Sequence, residues 1–436
     1  MNVGIMGLGK IGIPYAYALA SRGLNVYGHD PAVSGPPRDC SHETGLAELI
    51  AQAGDRVRFC SLSEVVANCD VILVAVQTPH EPRFEGVTPL PVDRADFDYA
   101  HLVRAVGELD RAAMLQDRDV TVAVVSTVLP GTMAREIVPF LSQWVQLVYC
   151  PAFIAMGTTV RDFLDPEFVL LGGDTDGRVG DMYRMVFGDQ PVRFINTTVE
   201  NAELIKVAYN TFIGLKIAFA NTLMEVCHKT GCDVDQVTGA LKQADRRLTS
   251  PAYMDGGMGD GGGCHPRDNI ALSWLAGELD LSYDLFHAAM EAREKHAEWL
   301  CDLMEQHDLP MGILGVAYKP GSRITTGSPA LLVRHLLQRR GHHVRWHDPH
   351  VSTAGRLPEE PHVFLVGCKH PEFPAVRFPE GSVVIDPFRF IPDQPGVEVV
   401  RVGQTLPAGK RLFSTNDARK PYPPRDDPDP MILRIT

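Results

Sequence analysis

Short apolar runs alternate along the chain with longer amphipathic stretches, the pattern of buried parallel strands separated by helices. Residues 2–6 form an apolar strand that runs straight into Gly7-x-Gly9-x-x-Gly12, and an Ala-rich helix follows through about Ser21. Gly23 ends that helix, residues 24–28 read as a second strand, and Asp30 stands at its end. Continuous apolar strands follow at 70–76, 119–126, 145–149 and 169–173, in the order a doubly wound sheet requires, with 169–173 closing it. Two of them end in polar segments, Gln77-Thr78-Pro79 and Thr127-Val-Leu-Pro-Gly-Thr132, at the carboxyl ends where such sheets bind ligands.

The pattern then changes. Residues 199–227 carry Leu204, Val207, Ala208, Phe212, Leu215 and Ala218 at helical spacing with no proline, which predicts one long helix suited to a dimer spine. Residues 255–268 hold six glycines, too many for a helix or central strand, so they form a loop whose backbone comes close to something. From Pro310 a second strand–helix–strand unit begins: strand 311–316, helix 328–339, strand 344–348, then strands 362–367 and 382–385. Its second strand ends in the His-Asp-Pro that also closes the second strand of the first unit, at residues 29–31, which points to a second nucleotide-binding-like sheet. Beyond about residue 401 proline and charge dominate, and an extended tail is expected over 402–436.

Composition narrows the functional classes. The 436 residues carry 41 Lys+Arg against 54 Asp+Glu, a formal charge of -13 with no basic block, which disfavours nucleic-acid and anionic-membrane partners. No apolar run approaches the length of a bilayer span, and Met1 leads within two residues into a strand rather than a charged leader, so a cytoplasmic location is expected. The nine cysteines are scattered and never spaced CxxC, which argues against a disulfide framework and a zinc knuckle; no metal site is expected.

Three places carry chemistry. In the glycine motif the first glycine makes the tight turn, the second lets the backbone approach a pyrophosphate, and the third lets helix and strand pack closely; Asp30 lies where an acid would meet ribose hydroxyls, which favours NAD over NADP. Lys206 and Asn210 are four apart and share a helix face, though a lysine on such a helix also serves as a snorkelling surface residue. Cys264 leaves the glycine-rich loop beside Arg267, a setting that favours a thiolate nucleophile over a buried filler.

Together these segments resemble the UDP-glucose/GDP-mannose dehydrogenase family over nearly the whole chain to about residue 400. The matching pieces are GLGKIG, the TP of AVQTP, STVLPGT, Glu203-x-x-Lys206-x-x-x-Asn210, GMGDGGGCHPRD and GVAYKP. The resemblance implies an α/β chain of three domains: an NAD-binding Rossmann domain (1–197), a central helical dimerisation domain (198–307) and a Rossmann-like nucleotide-sugar domain (308–401). It implies two hydride transfers that turn a primary alcohol of the sugar into a carboxylate, with NAD as cofactor, a UDP-sugar as the default substrate and a homodimer as the assembly. By the same resemblance Gly7, Gly9, Lys10, Ile11, Gly12, Asp30, Thr78 and Thr127 would meet the cofactor. Cys264 would attack the aldehyde, Lys206 and Asn210 would hold the sugar oxygen, Asp268 would pair with Lys206 or position a water, and Thr127 would touch the reacting hydroxyl or that water. Phe153, Ile154, Arg247, Gly261 and Lys319 would join Lys206 and Asn210 against the substrate, Arg247 from across the dimer and Lys319 at the diphosphate.

The chain also departs from the family pattern. The loop NPEFLxEG reads Cys150-Pro-Ala152-Phe-Ile-Ala-Met156-Gly157, so both glutamates are absent, including the one credited with assisting thioester hydrolysis. Thr326 stands where an arginine precedes the E-S-P triplet, and Arg267 replaces a lysine. An altered substrate or end point is therefore expected. Two other readings stay open: a sugar-nucleotide binder without catalysis, and a β-hydroxyacid dehydrogenase, which would need neither Cys264 nor the second sheet.

Overall fold

A computed structural model of the chain describes residues 1–37, 39–40, 43–79, 95–250, 252–258, 264–351 and 357–404. They gather into two compact units divided inside one long helix, between Gly214 and Leu215. The expected tail beyond 404 and Gly261 lie outside the described residues.

The first unit is built on eight strands: β1 (Asn2–Met6), β2 (Asn25–His29), β3 (Val57–Phe59), β4 (Val71–Val74), β5 (Val120–Val124), β6 (Val145–Tyr149), β7 (Val169–Gly172) and β8 (Phe194–Thr197). Their order is β3-β2-β1-β4-β5-β6-β7-β8, and every neighbouring pair is parallel except β6 and β7. Because successive side chains of a strand face opposite ways, the apolar runs fill two cores at once. In β4, Val71 and Leu73 face one cluster with Val3, Ile5 and Ala123, while Ile72 and Val74 face the other with Met6, Val122 and Val124. Helix α1 (Gly12–Ser21) lies in the first cluster, buried from Gly12 to Ala20, which is why its sequence is nearly all small or apolar; α2 (Leu46–Ala53), α5 (Thr159–Leu164) and α6 (Arg178–Phe187) contribute to the same cluster. The other face is covered by α3 (Leu62–Asn68) and α4 (Ala100–Leu115).

Two strands of this sheet lie beyond the sequence reading. β3 has three residues, and β8 is a half-polar edge strand with no apolar run, so neither leaves a hydrophobic signature; β8 rather than residues 169–173 closes the sheet, pairing parallel with β7. The long helix α7 runs from Val199 to Thr230, 32 residues.

In the second unit, α7 continues into α8 (Val234–Lys242), α9 (Cys264–Glu278) and α10 (Leu285–Glu305), followed by a five-stranded, wholly parallel sheet. Its strands are β9 (Met311–Leu314), β10 (Val344–His347), β11 (Val363–Val366), β12 (Val383–Asp386) and β13 (Glu398–Arg401), in the order β10-β9-β11-β12-β13. Helix α11 (Pro329–Arg339), capped by the Ser328 hydroxyl on Leu331 N–H, packs on it together with the last turns of α10, through Leu300, Cys301 and Met304.

In both sheets the first strand sits between strands that lead away in opposite directions, leaving a crevice at its carboxyl end. The glycines there differ in what they require. A Cβ on Gly12 would stand 1.8 Å from the Gly7 carbonyl oxygen, whereas one on Gly9 would meet no atom within 4 Å. Gly12→Ala is therefore expected to destabilise the fold by about 2–4 kcal/mol and Gly9→Ala by under about 0.5 kcal/mol, measured by urea unfolding. Equal losses at the two positions would contradict this account of the turn.

Candidate functional site

The turn after β1 forms the first half of the site. Gly7 adopts a φ of +94°, which lets its neighbours double back into α1. That helix has no side-chain cap and no acid in its first turn, so its amino end offers N–H groups to an anion, and Gly9 leaves the approach open. Asp30 closes the turn from β2: its Oδ2 accepts Leu8 N–H at 2.9 Å and its Oδ1 accepts Ala32 N–H at 2.8 Å. Each oxygen keeps a second lone pair for a hydroxyl. Lys10 is exposed beside the turn, and Ile11 packs on the core beneath it. Thr78 and Thr127, read separately from the sequence, are brought together: Thr78 Oγ1 donates to the Thr127 carbonyl at 2.8 Å, joining the ends of β4 and β5. An open glycine, a bare helix end and a half-used carboxylate fit a dinucleotide.

The amino end of α7 forms the second half. Glu203 is fully buried and accepts backbone N–H from Gly131 and, at 2.8 Å, from Met133. It anchors α7 to the loop that follows β5; burial pushes its carboxyl up against the pull of those two bonds. One turn on, Lys206 is 6% exposed, and burial alone brings its ammonium down to about 8. Nζ lies 4.9 Å from the centre of the Phe153 ring and 3.5 Å from Asn210 Oδ1, and among the described residues no carboxylate pairs with it. Phe153 is held in turn by Phe168 at 4.7 Å and Tyr209 at 4.9 Å, and Tyr209 donates its hydroxyl to Glu167 at 3.0 Å. The structure thus brings Lys206, Asn210 and Phe153 to one place and excludes the snorkelling alternative for Lys206. Glu203 entered the sequence reading only as part of a motif spacing, with no role as an anchor, and the supporting Tyr209 escaped it; their place at i-3 and i+3 from Lys206, on the same helix face, was the available signal.

The segment after β6 is apolar where the family pattern is acidic. Ala152 is buried in the first core cluster, Ile154 packs against that cluster, and both line a cavity of about 30 Å³ with Tyr15, Cys150 and Phe153. Met156 is exposed. Asp162, the carboxylate nearest in sequence to this segment, accepts from Ala155 N–H at 2.9 Å and the Thr158 hydroxyl at 2.8 Å, with Arg161 on its other oxygen. Burial pushes it up, but these bonds outweigh burial and hold it below the usual carboxylate range, a poor base.

In the second unit, Cys264 is the first residue of α9, at the end of a helix that favours negative charge. The start of the glycine-rich loop is pinned to α10 and the second sheet: His296 Nε2 of α10 lies 3.0 Å from the Gly257 carbonyl, Arg389 after β12 donates to the Gly256 carbonyl at 2.8 Å, and Met258 is buried in the cluster that the sheet's side chains share with α10. Asp268 is exposed and paired with Arg267 at 2.9 Å. Arg247 is exposed in the turn after α8, and Lys319 is exposed with its Nζ 5.4 Å from the Tyr318 ring.

Asp348 repeats the position of Asp30 with a different outcome. Its Oδ2 accepts Val316 and Ala317 N–H at 2.8 and 2.9 Å and faces His370 Nε2 at 3.2 Å, while Oδ1 accepts His350 and Val351 N–H. This carboxylate is buried and saturated, so it locks the loop after β9 and has no capacity left for a ribose diol.

Among the described residues no helix is long and apolar enough to cross a membrane. Residues 1–188 match the NAD binding domain of the UDP-glucose/GDP-mannose dehydrogenase family, and residues 200–295 match its central domain. The chain is 30% identical over 387 residues to the UDP-glucose 6-dehydrogenase AglM of Haloferax volcanii, covering 82% of this chain and 86% of that one. It is 27% identical over 373 residues to the GDP-mannose 6-dehydrogenase of Pseudomonas aeruginosa, covering 81% and 82%. A crystal structure of a ternary complex of the Pseudomonas aeruginosa GDP-mannose dehydrogenase superimposes with a TM-score of 0.80 at 24% identity, over 92% of this chain and 99% of that one, and shares the fold. The chain, an oxidoreductase with NAD as its cofactor, belongs to the UDP-glucose/GDP-mannose dehydrogenase family.

Proposed function

We propose that this chain oxidises the primary alcohol at C6 of a nucleotide-sugar, a UDP- or GDP-hexose, toward the uronate. The observation that carries the reading is the buried Lys206 ammonium, paired with no carboxylate among the described residues, beside Asn210 in the same unit as the glycine turn. Gly7, Gly9, Gly12 and Asp30, with Thr78 and Thr127 at the strand ends, would hold NAD, which would supply the hydride acceptor. A cation kept out of water with one weak acceptor is set to bind an oxygen on which negative charge develops. Asn210 presents Oδ1 to Lys206, and its two Nδ2 hydrogens have no hydrogen-bond partner among the described residues, so they are available to the same oxygen.

Cys264 serves the second oxidation. Its sulfur adds to the aldehyde carbon and the carbonyl oxygen takes up the proton, which restores a carbon that can give up hydride; the second oxidation leaves a thioester, and water releases the carboxylate and the free thiol. Ala152 offers no proton acceptor for that water, and Asp162, Glu167 and Glu203 are each engaged elsewhere. Hydrolysis is therefore the slow step. Ala152 also favours the second reading, a nucleotide-sugar binder without turnover; NADH absorbance against a panel of UDP-, GDP- and dTDP-sugars separates the two. On the family resemblance Asp268 is retained as the catalytic-side carboxylate that positions a water, and Arg247, Phe153, Ile154 and Lys319 as substrate-side residues.

The central helices form the dimer spine. Phe212, Ile213, Leu215, Ile217, Phe219 and Met224 of α7 are all exposed, an apolar surface that a second copy of this chain would bury.

Three outcomes are expected. Lys206→Met should lower kcat by about 10²–10³-fold yet raise stability at pH 7. The ammonium, with a folded value of about 8 against 10.5 ordinarily, burdens the folded state below pH 8, and that burden is relieved as pH rises from 8 past 10. The stability advantage of the variant should shrink over that window in thermal unfolding, and a variant no more stable than the parent at pH 7 would contradict the burial. Intact-protein mass spectrometry during turnover should find a covalent substrate adduct that Cys264→Ala lacks; prompt free uronate with two NADH per sugar and no adduct would refute slow hydrolysis. Light scattering should give a dimer, and Ile217→Asp combined with Phe219→Asp should yield monomer.

A further inference from the structure

The edge of the second sheet opposite its substrate crevice carries a pocket of about 310 Å³, formed where β9, β10 and β11 begin and lined by His342, His343, Arg345, Glu360 and His362. His362 is 1% exposed, stacked on Phe364 with ring centres 5.5 Å apart. Its Nδ1 lies 2.8 Å from the Glu360 carbonyl oxygen. A carbonyl only accepts, so Nδ1 carries the proton, and Nε2 is left with no hydrogen-bond partner among the described residues. Among the described residues Arg345 and His343 likewise form no ion pair, while His342 is engaged by Glu305 at 2.8 Å. The pocket therefore combines an uncommitted guanidinium, an uncommitted surface imidazole and a buried imidazole nitrogen, with the Glu360 carboxylate as its one acid.

Two ligand chemistries suit imidazoles. A metal ion needs donor atoms close together, and among the described residues the only such group is His350, His370 and Glu372, away from this pocket. There both His370 nitrogens are already used, by Gly321 N–H and Asp348. An anion is the better match. Arg345 supplies a planar fork for two oxygens, and in the tautomer that donates Nδ1–H to the Glu360 carbonyl the His362 Nε2 accepts a hydrogen bond. A phosphate monoanion has both an ionised oxygen for the guanidinium and a P–OH for the imidazole.

We propose that this pocket binds a phosphate group, free or as a phosphomonoester, at a site separate from the substrate crevice. The crevice opens where β9 and β10 end, the loops of Asp348 and Lys319, whereas the pocket lies where those strands start. A ligand there stabilises the native state by mass action.

The test is a thermal-shift and ³¹P line-width titration of the full chain, saturated with NAD, at pH 6.5, where inorganic phosphate and a sizeable fraction of a phosphomonoester still carry a P–OH, with inorganic phosphate, glucose 6-phosphate and sulfate. Phosphate should raise the unfolding midpoint saturably, sulfate should bind more weakly because it carries no proton for His362, and a tighter response to the sugar phosphate would identify an ester as the occupant. Arg345→Gln, exposed and outside the core, should weaken phosphate binding roughly tenfold or more while leaving NAD affinity unchanged, and His362→Phe should do the same if it folds. An equal response of the parent and Arg345→Gln, or equal affinities for sulfate and phosphate, would overturn the proposal.

Discussion

The Lys206 ammonium is held in a place that disfavours its charge. Helix α7 cannot turn Lys206 toward water without breaking the anchor one turn earlier, where Glu203 receives two backbone N–H groups from the loop after β5. Phe153, wedged between Phe168 and Tyr209, covers the other side. The result is a cation with a π face and a single distant amide oxygen in place of a hydration shell. Such an arrangement lowers stability and is kept where the charge is needed by a ligand. The family chemistry, which generates negative charge on a sugar oxygen, is the use that this arrangement fits.

The two sheets show how one topological device serves two ends. Each places an aspartate after its second strand to hold the loop leaving the first strand. Asp30 spends one bond per oxygen and stays half-buried, so the crevice can still recognise hydroxyls. Asp348 gathers four backbone N–H groups and His370, and its loop is fixed. In the proposed reading, recognition at the second sheet would come from other groups of the loop, Lys319 among them.

Much of this was legible in the sequence because it rests on local rules. Apolar runs marked the central strands, Gly7, Gly9 and Gly12 marked the tight turn, and unbroken helical spacing marked α7 almost to its observed end. Edge strands β3 and β8 were not legible, since a strand exposed on its sides needs no apolar run. The pairing of Thr78 with Thr127 and the cover of Phe153 over Lys206 join residues 49 and 53 positions apart, and no local pattern encodes which partners meet. Glu203 was visible only as part of a spacing; its work as an anchor depends on where the loop at 131–133 falls in space. The saturation of Asp348 follows from His370, 22 residues away, and could not be read from the repeated His-Asp-Pro.

The most direct test of the central claim is the titration of Lys206 itself in the free protein. With ¹³C-labelled lysine and the resonance assigned by its absence in Lys206→Met, the Lys206 ammonium should titrate with a midpoint near 8, well below the ordinary lysine range of about 10.4. A midpoint at or above 10 would mean a hydrated ammonium, and the site as described would not exist.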